Sequence, residues 1–246
     1  MNEVTVILWR HAPTSDNAAG RLQGRLDTPA GESGLLLGSA AAGLILDKYG
    51  VPTRVFSSPL QRASATAQLL VDAALASQHQ EILPAGKRGA SAVQVEIEHG
   101  INQRSYGVWE GMTLDEVQRH HPEELAVRNA GGDPDIPGWE PGYVVGKRVA
   151  EAITMRCMQT MRDLRTQAPG QSDTGQATGI GGSKVSATPP VLVFTSHGSA
   201  IGTGVRNLLG IPDQEQLLGH LAHANWVELR FRAGTWTIER FNYGPS

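Results

Sequence analysis

A run of apolar residues, Val4 to Trp9, stops abruptly at Arg10-His11, and the chain then turns polar and small. The same grammar returns far downstream, where Val191 to Ser196 stops at His197-Gly198. Short apolar runs bounded by polar residues read as strands buried on both faces. In an open parallel sheet, ligands bind beyond the carboxyl ends of the strands. Two strand-end histidines on one such sheet would face one crevice, and this pairing constrains the chain more than any other feature. One such histidine alone reads as a hydrogen-bonded structural residue; the repetition is what points to chemistry.

The stretch between the two strands alternates helix and strand signals. Residues 10 to 30 read as a long polar loop of the functional kind. A helix is expected from about Glu32 to Tyr49, with Leu35, Leu36, Leu44, Ile45 and Leu46 apolar. A short strand, Thr53 to Ser57, precedes Ser58-Pro59, which reads as a helix start with Ser as cap and Pro at the first position. Arg62 then falls in the first turns, where its guanidinium and free helix amides can serve one anion; alone, it would read as a surface arginine. Residues 77 to 93 read as a connection and Val93 to Ile97 as a strand. A capping box, Thr113-x-x-Glu116, opens a helix expected to end near His120-His121-Pro122. The Gly- and Pro-rich stretch that follows completes a segment, 112 to 146, read as a cap over the site. A long helix over 144 to 166 would turn Val149, Ile153, Met161 and Leu164 inward. The strand 191 to 196, a helix over 199 to 209 closed by Gly210, and strands near 225 to 231 and 235 to 241 complete the pattern. This alternation predicts an α/β fold, a three-layer αβα sandwich with a mainly parallel central sheet whose last strands are antiparallel.

Composition sets the outer limits. With 246 residues, 40% of them hydrophobic, the chain can bury one substantial core, and a single domain over 1 to 246 is expected. Fourteen of the 24 residues from 167 to 190 are Gly, Ser, Thr or Pro, too few large apolar side chains to offset the entropy of ordering. That segment reads as a flexible insertion, not a second domain. A net charge of −3 gives no reason to expect nucleic acid or an anionic membrane as partner, so any attraction for anions must be local. The one cysteine, Cys157, lies in an apolar helical stretch and reads as a buried inert thiol, which suits a reducing cytoplasm. No uninterrupted apolar run approaches about 18 residues, so a soluble, cytoplasmic protein is expected. The oligomeric state, a homo-oligomer included, is left open.

Four motifs in order carry a resemblance. Arg10-His11, Thr14-x-x-Asn17, Gly20-Arg21-x-Gln23-Gly24, Asp27-x-Pro29 and Gly34 form the first; Ser57-Ser58-Pro59-Leu60-x-Arg62-Ala63-x-x-Thr66-Ala67 the second. Tyr106-Gly107-x-Trp109-Glu110-Gly111 and Ser196-His197-Gly198 are the third and fourth. Together they resemble the histidine phosphatase superfamily, the phosphoglycerate mutase-like proteins, and within it the phosphatase branch. The resemblance implies hydrolysis of a small phosphate monoester, of sugar phosphate or phosphoglycerate type, through a phosphohistidine on His11. Phosphoryl transfer asks for positioning and for neutralisation of charge on the phosphoryl oxygens. Arg10, Arg62 and His197, with Asn17, Arg21 and Gln23, would supply the donors, and Gly24 and Gly198 would let backbone approach the substrate. Neither a cofactor nor a metal is demanded, since arginines and histidines provide the positive field. The other histidines, including His120-His121 and His220-x-x-His223, lack the further ligands of a metal site and receive no role.

The departures are informative. Ala12-Pro13 stands where the family has Gly-Glu, and Ala30-Gly31 where it has Leu-Thr. Pro137-Gly138-Trp139-Glu140-Pro141 only approximates its Pro-x-Gly-Glu-Ser. Above all, Gln103 occupies the position of the proton-donating Glu. An amide can hydrogen-bond a leaving oxygen but cannot protonate it, which implies a slow phosphatase unless Glu110, Glu98 or Asp16 substitutes. Two rival readings follow: a phosphoglycerate mutase-type phosphotransferase, and a catalytically weakened phospho-ligand binding protein.

Overall fold

The computed structural model describes residues 3–80, 93–167, 188–212 and 218–245. Most of 77 to 93 and of the 167 to 190 insertion therefore lies outside the described residues. Six strands form one mixed sheet: β1 (Glu3–Arg10), β2 (Arg54–Ser57), β3 (Val95–Ile97), β4 (Val191–Ser196), β5 (Trp226–Arg232) and β6 (Thr235–Tyr243). Their spatial order is β3-β2-β4-β1-β5-β6, with β1 to β4 parallel and the last two antiparallel. Both apolar runs are thus neighbouring central strands.

Alternation along these strands feeds two cores. Val4, Val6 and Leu8 of β1 join Leu192 and Phe194 of β4 on one face. There they meet Val145, Val149 and Ile153 of α6 (Gly142–Gln167) and Ile201 and Val205 of α7 (Gly198–Leu209). Ile7, Trp9, Val191 and Val193 point to the other face. Their partners are Ala41, Ala42 and Ile45 of α2 (Glu32–Tyr49) and Ala67 and Leu70 of α3 (Gln61–Gln80). Burying one such large apolar side chain contributes about 1.5–3 kcal/mol, which explains why both β1 and β4 are apolar on both faces. Cys157 is buried in the first core, and burial pushes its thiol up to about 12. Among the described residues no helix is long and apolar enough to cross a membrane.

Several local expectations are corrected. The 10 to 30 loop contains a short helix, α1 (Ser15–Ala18), capped reciprocally by Thr14 and Asn17. Of the apolar residues noted on α2, Ile45 is buried and Leu46 packs against the same core, whereas Leu36 and Leu44 are exposed; Gly34, Gly38, Ala41 and Ala42 complete the buried face. Ser58 is not the cap of α3, which begins at Gln61 and is met by Asp27, whose carboxylate accepts from the Gln61 amide at 2.7 Å. Helix α3 also runs through Gln80, so the connection begins later than expected. Pro122 both ends α4 (Leu114–His120) and starts a further helix, α5 (Pro122–Asn129), because its missing N–H costs nothing at a first turn. With the turn at Gly107–Trp109, these helices enclose a small core of their own, Trp109, Val117, Leu125 and Ile136.

Small residues on α2 set the position of the loop that follows β1. A Cβ at Gly34 would collide with the Pro13 carbonyl, and one at Gly38 would stand 2.8 Å from Leu69 Cδ1 and 3.5 Å from the Ala12 Cβ. Helix α2 can therefore lie directly against the two residues after His11. Gly34→Ala should destabilise the protein by about 1–3 kcal/mol, the usual range for overpacking. Because the displaced backbone is adjacent to His11, ligand affinity should fall as well. Denaturant unfolding alongside phosphate binding checks this; unchanged values in both would contradict the close approach.

Candidate active site

Register brings the two histidines together. Arg10 pairs with Ser196 across β1 and β4, and the His11 amide donates to the Ser196 carbonyl at 2.9 Å. The next residue of each strand therefore projects at the same level, and the His11 and His197 rings lie 5.0 Å apart. Both are almost wholly buried. Their hydrogen bonds distinguish them. His11 Nδ1 lies 2.7 Å from the Ala12 carbonyl, which can only accept, so Nδ1 carries the proton and Nε2 presents a bare lone pair. The Ala12 amide is in turn fixed by Thr66 Oγ1 at 2.9 Å, a bond from α3 that holds the loop carrying this carbonyl. His197 Nε2 lies 2.8 Å from Ser58 Oγ, while its buried Nδ1 has no protein partner. Ser58, read from sequence as a cap, holds His197 instead.

Both predicted arginines are here. Arg62 is 1% exposed, and its Nη atoms donate to the carbonyls of Leu26 and Gly24 at 2.6 and 2.8 Å. Arg10 donates from Nη1 to the Leu221 carbonyl at 2.5 Å, with His223 Nε2 2.7 Å from its Nη2. The Nε atoms of both arginines are buried without a partner. Burial lowers each guanidinium to about 10, which leaves both charged at neutral pH. Burial, and after it Arg62, holds His11 well below its ordinary value; burial and then His11 do the same to His197. The centre is thus two cations around two neutral imidazoles. Buried donors without partners require explanation, and an anion would satisfy them.

Arg10, His11 and Arg62 border a cavity of about 450 Å³, while His197 stands behind His11 and does not line it. Asn17, Arg21, Gln23, Gln103 and Gly198 also line it, as do Tyr106, Arg104, Arg128, Arg206 and His220, to which sequence reasoning gave no role. Among the described residues, six arginines and no aspartate or glutamate line the cavity. Of the segment 112 to 146, only Arg128 contributes, less than a cap was expected to give. Asn17 spends its amide oxygen on Thr14, so its amide nitrogen is the part left for a ligand. Arg21 lies at the exposed margin, donating to the Gly111 carbonyl at 2.7 Å. Gln23 donates to Thr14 Oγ1 at 2.5 Å, with its own oxygen buried and unpartnered. A Cβ at Gly24 or Gly198 would meet the side chain of Glu110 or Arg10; Gly198 nonetheless lines the cavity, and Gly24 does not.

The acid question sharpens. Gln103 lines the cavity, and its Oε1 accepts from the Arg104 amide at 2.9 Å, which leaves its NH₂ as the free end. Glu110 is absent from the lining; its Oε1 accepts from the amides of Arg25 and Tyr106, both at 3.0 Å. It braces the loop at Gly24, a placement that counts against it as a substitute acid. Glu98 caps the turn at His99–Ile101 and pairs with Arg156 at 2.6 Å, and Asp16 accepts from Thr28. Neither lines the cavity. His220 and His223, read as a spacing without partners, face Arg10; their signal was their place just before β5, which pairs with β1. Among the described residues no group of three or more His, Cys, Asp or Glu could hold a metal ion.

The fold agrees with that of known proteins. The sequence matches the family model of the histidine phosphatase superfamily (branch 1) over residues 6–172. The chain belongs to that superfamily. It is 31% identical over 226 residues to a glucosyl-3-phosphoglycerate phosphatase of Mycolicibacterium vanbaalenii, covering 91% of this chain and 83% of that protein. It is 24% identical over 221 residues to a 2,3-bisphosphoglycerate-dependent phosphoglycerate mutase of Rhodococcus opacus, covering 87% and 80%. A mycobacterial glucosyl-3-phosphoglycerate phosphatase solved in complex with VO3 superposes with a TM-score of 0.73 at 21% identity, covering 99% of this chain and all of that one.

The depressed histidines carry a stability signature. The unfolded chain takes up protons near pH 6.5 that folded His11, His197 and His223 refuse, His223 being lowered to about 3. Their contribution is therefore present above that pH and lost as pH falls toward the folded values. Between about pH 6.5 and about pH 5 each should steepen the decline in unfolding free energy by about 1.4 kcal/mol per pH unit. Urea titrations across this window check it, and His11→Ala should flatten the slope by one proton's worth.

Proposed function

We propose that this chain hydrolyses a small, acidic phosphate monoester of phosphoglycerate type through a phosphohistidine on His11. The observation that carries the reading is the bare Nε2 of His11 beside the buried, unpartnered Nε donors of Arg10 and Arg62. The phosphoryl oxygens would take those donors, which neutralise charge as it spreads in the transition state. His11 Nε2 attacks phosphorus, the P–O bond to the leaving group breaks, and water then displaces phosphate from the imidazole. This divides one hard displacement between two easier ones. The buried arginines supply the positive field, so no metal ion is called for. Arginines beyond Arg10 and Arg62 on the described lining, Arg128 and Arg206 among them, favour an ester with a second negative group, and the named relatives favour the same class. A soluble cytoplasmic enzyme follows from the same reading.

His11→Ala should abolish hydrolysis and leave the fold intact. Brief reaction with labelled substrate should place an acid-labile, base-stable phosphate on His11. Label on serine, or full activity in the variant, would sink the mechanism. A screen over phosphoglycerates, sugar phosphates and an aryl phosphate identifies the substrate. Formation of 2-phosphoglycerate from 3-phosphoglycerate and its bisphosphate primer would mark a mutase instead.

One observation favours a second reading, of a phospho-ligand binding protein with weak turnover: Gln103, at the position where the resemblance implies the proton-donating Glu, lines the cavity with an amide. General acid catalysis contributes about 10²–10⁴-fold. Aryl phosphates, whose leaving groups need no proton, should then be hydrolysed far faster than alkyl phosphates. Gln103→Glu should raise alkyl-ester turnover by up to roughly 10²–10⁴-fold and change aryl-ester turnover much less. Equal wild-type rates on the two esters would contradict the missing acid, while tight binding with no turnover of either would favour the binding protein.

A further inference from the structure

We infer that His223 is a positioning residue of the phosphoryl site, holding the Arg10 guanidinium so that one of its edges faces the ligand. The inference rests on the reading of the cavity as a phosphoryl site and adds a residue to it.

A guanidinium has five N–H donors and no acceptor. Arg10 Nη2 lies 2.7 Å from His223 Nε2, and Nη1 lies 3.2 Å from His220 Nε2 and 2.5 Å from the Leu221 carbonyl. Since arginine can only donate, both imidazoles present lone pairs at Nε2 and carry their protons on Nδ1. Three N–H groups are thereby committed to the 220–223 turn. Two remain, on Nε and Nη2, and Nε has no protein partner. These neighbouring nitrogens form one edge of the guanidinium, and such an edge suits two oxygens of a single phosphoryl group.

The turn is itself anchored, so it can act as a fixed point. The Ala222 amide donates to Asn242 Oδ1 at 2.8 Å, Trp9 Nε1 donates to the Ala224 carbonyl at 2.8 Å, and the Arg10 amide donates to the Asn225 carbonyl at 2.9 Å. His223 also meets His11 edge-on, with ring centroids 5.4 Å apart, so one side chain touches two members of the site. The groups facing it are Arg10 and His11 from β1 and His220 from its own turn. Burial, then Arg10, then His220 lower His223 to about 3, which keeps it a neutral acceptor throughout the pH range of an assay.

The test is a double-mutant cycle read by affinity for orthovanadate and by kcat/KM, with melting temperature followed in parallel. His223→Ala should weaken vanadate binding roughly 10- to 100-fold, the range of a lost hydrogen bond to a charged group. His223→Gln should recover most of that loss, because its amide oxygen reaches the place of Nε2 and accepts from Arg10. In an Arg10→Gln background, His223→Ala should cost little more. Should His223→Ala unfold, His223→Leu replaces it, matching the bulk without an acceptor. Additive losses in the double variant, or His223→Gln as weak as His223→Ala at an unchanged melting temperature, would overturn the inference, as would a wild type that binds no vanadate. A wild type that binds vanadate but hydrolyses no ester would fail the hydrolytic reading alone and leave the cycle to judge His223.

Discussion

Parallel pairing of β1 with β4, in the register that sets Arg10 opposite Ser196, is the constraint on which the site depends. It places His11 and His197 in one crevice and makes both strands central, so their ends are buried in protein. Burial then decides protonation, because a desolvated imidazole beside cations is more stable neutral. The Ala12 carbonyl selects which nitrogen keeps the proton, and the other is left as a nucleophile. A slip of one residue would turn each strand's side chains to the opposite face and destroy both cores along with the site.

The arginines are held by carbonyls and imidazoles more than by carboxylates. Arg62 rests on the Leu26 and Gly24 carbonyls, and Arg10 on the Leu221 carbonyl and two histidines. Neutral acceptors fix a guanidinium without cancelling its charge, so the attraction for an anion stays local in a chain of net charge −3. Carboxylates are placed where they organise loops. Glu140 accepts from Arg148 at 2.8 Å, and Arg148 also donates to the carbonyls of Gly100 and Asn102 at 2.9 and 2.7 Å. That clamp, with Glu98 and Arg156 behind it, holds the segment that delivers Gln103. Part-buried, multiply bonded pairs of this kind are worth more than the usual exposed pair.

Much of the fold was legible before any coordinates. The two apolar runs, the Thr113 capping box and Gly210 all mark elements where they occur, because strand burial, capping and left-handed termini leave local traces. His11, His197, Arg10, Arg62 and Gln103 were legible for another reason: each stands in a motif of fixed spacing. What misled was local as well. The apolar residues noted on α2 were its leucines and Ile45, yet glycines and alanines take most of the buried positions, and only glycine at 34 admits the Pro13 carbonyl. Ser58 looked like a cap, but a hydroxyl buried beside His197 serves the ring instead.

The sequence by itself determined the alternation of elements, the burial of the central strands and the chemistry available at their ends, since these follow from side-chain types at short spacing. An antiparallel end to the sheet was expected, but only the tertiary structure decided that β5 takes β1 as its partner. That pairing carries the 220–223 turn onto Arg10, across more than 200 residues of chain. It likewise decided that Glu110 faces a glycine loop and not the cavity, and that Arg104, Arg128 and Arg206 line one space. Contacts between distant segments are chosen by how two cores close on one sheet, and no local pattern of residues records that choice.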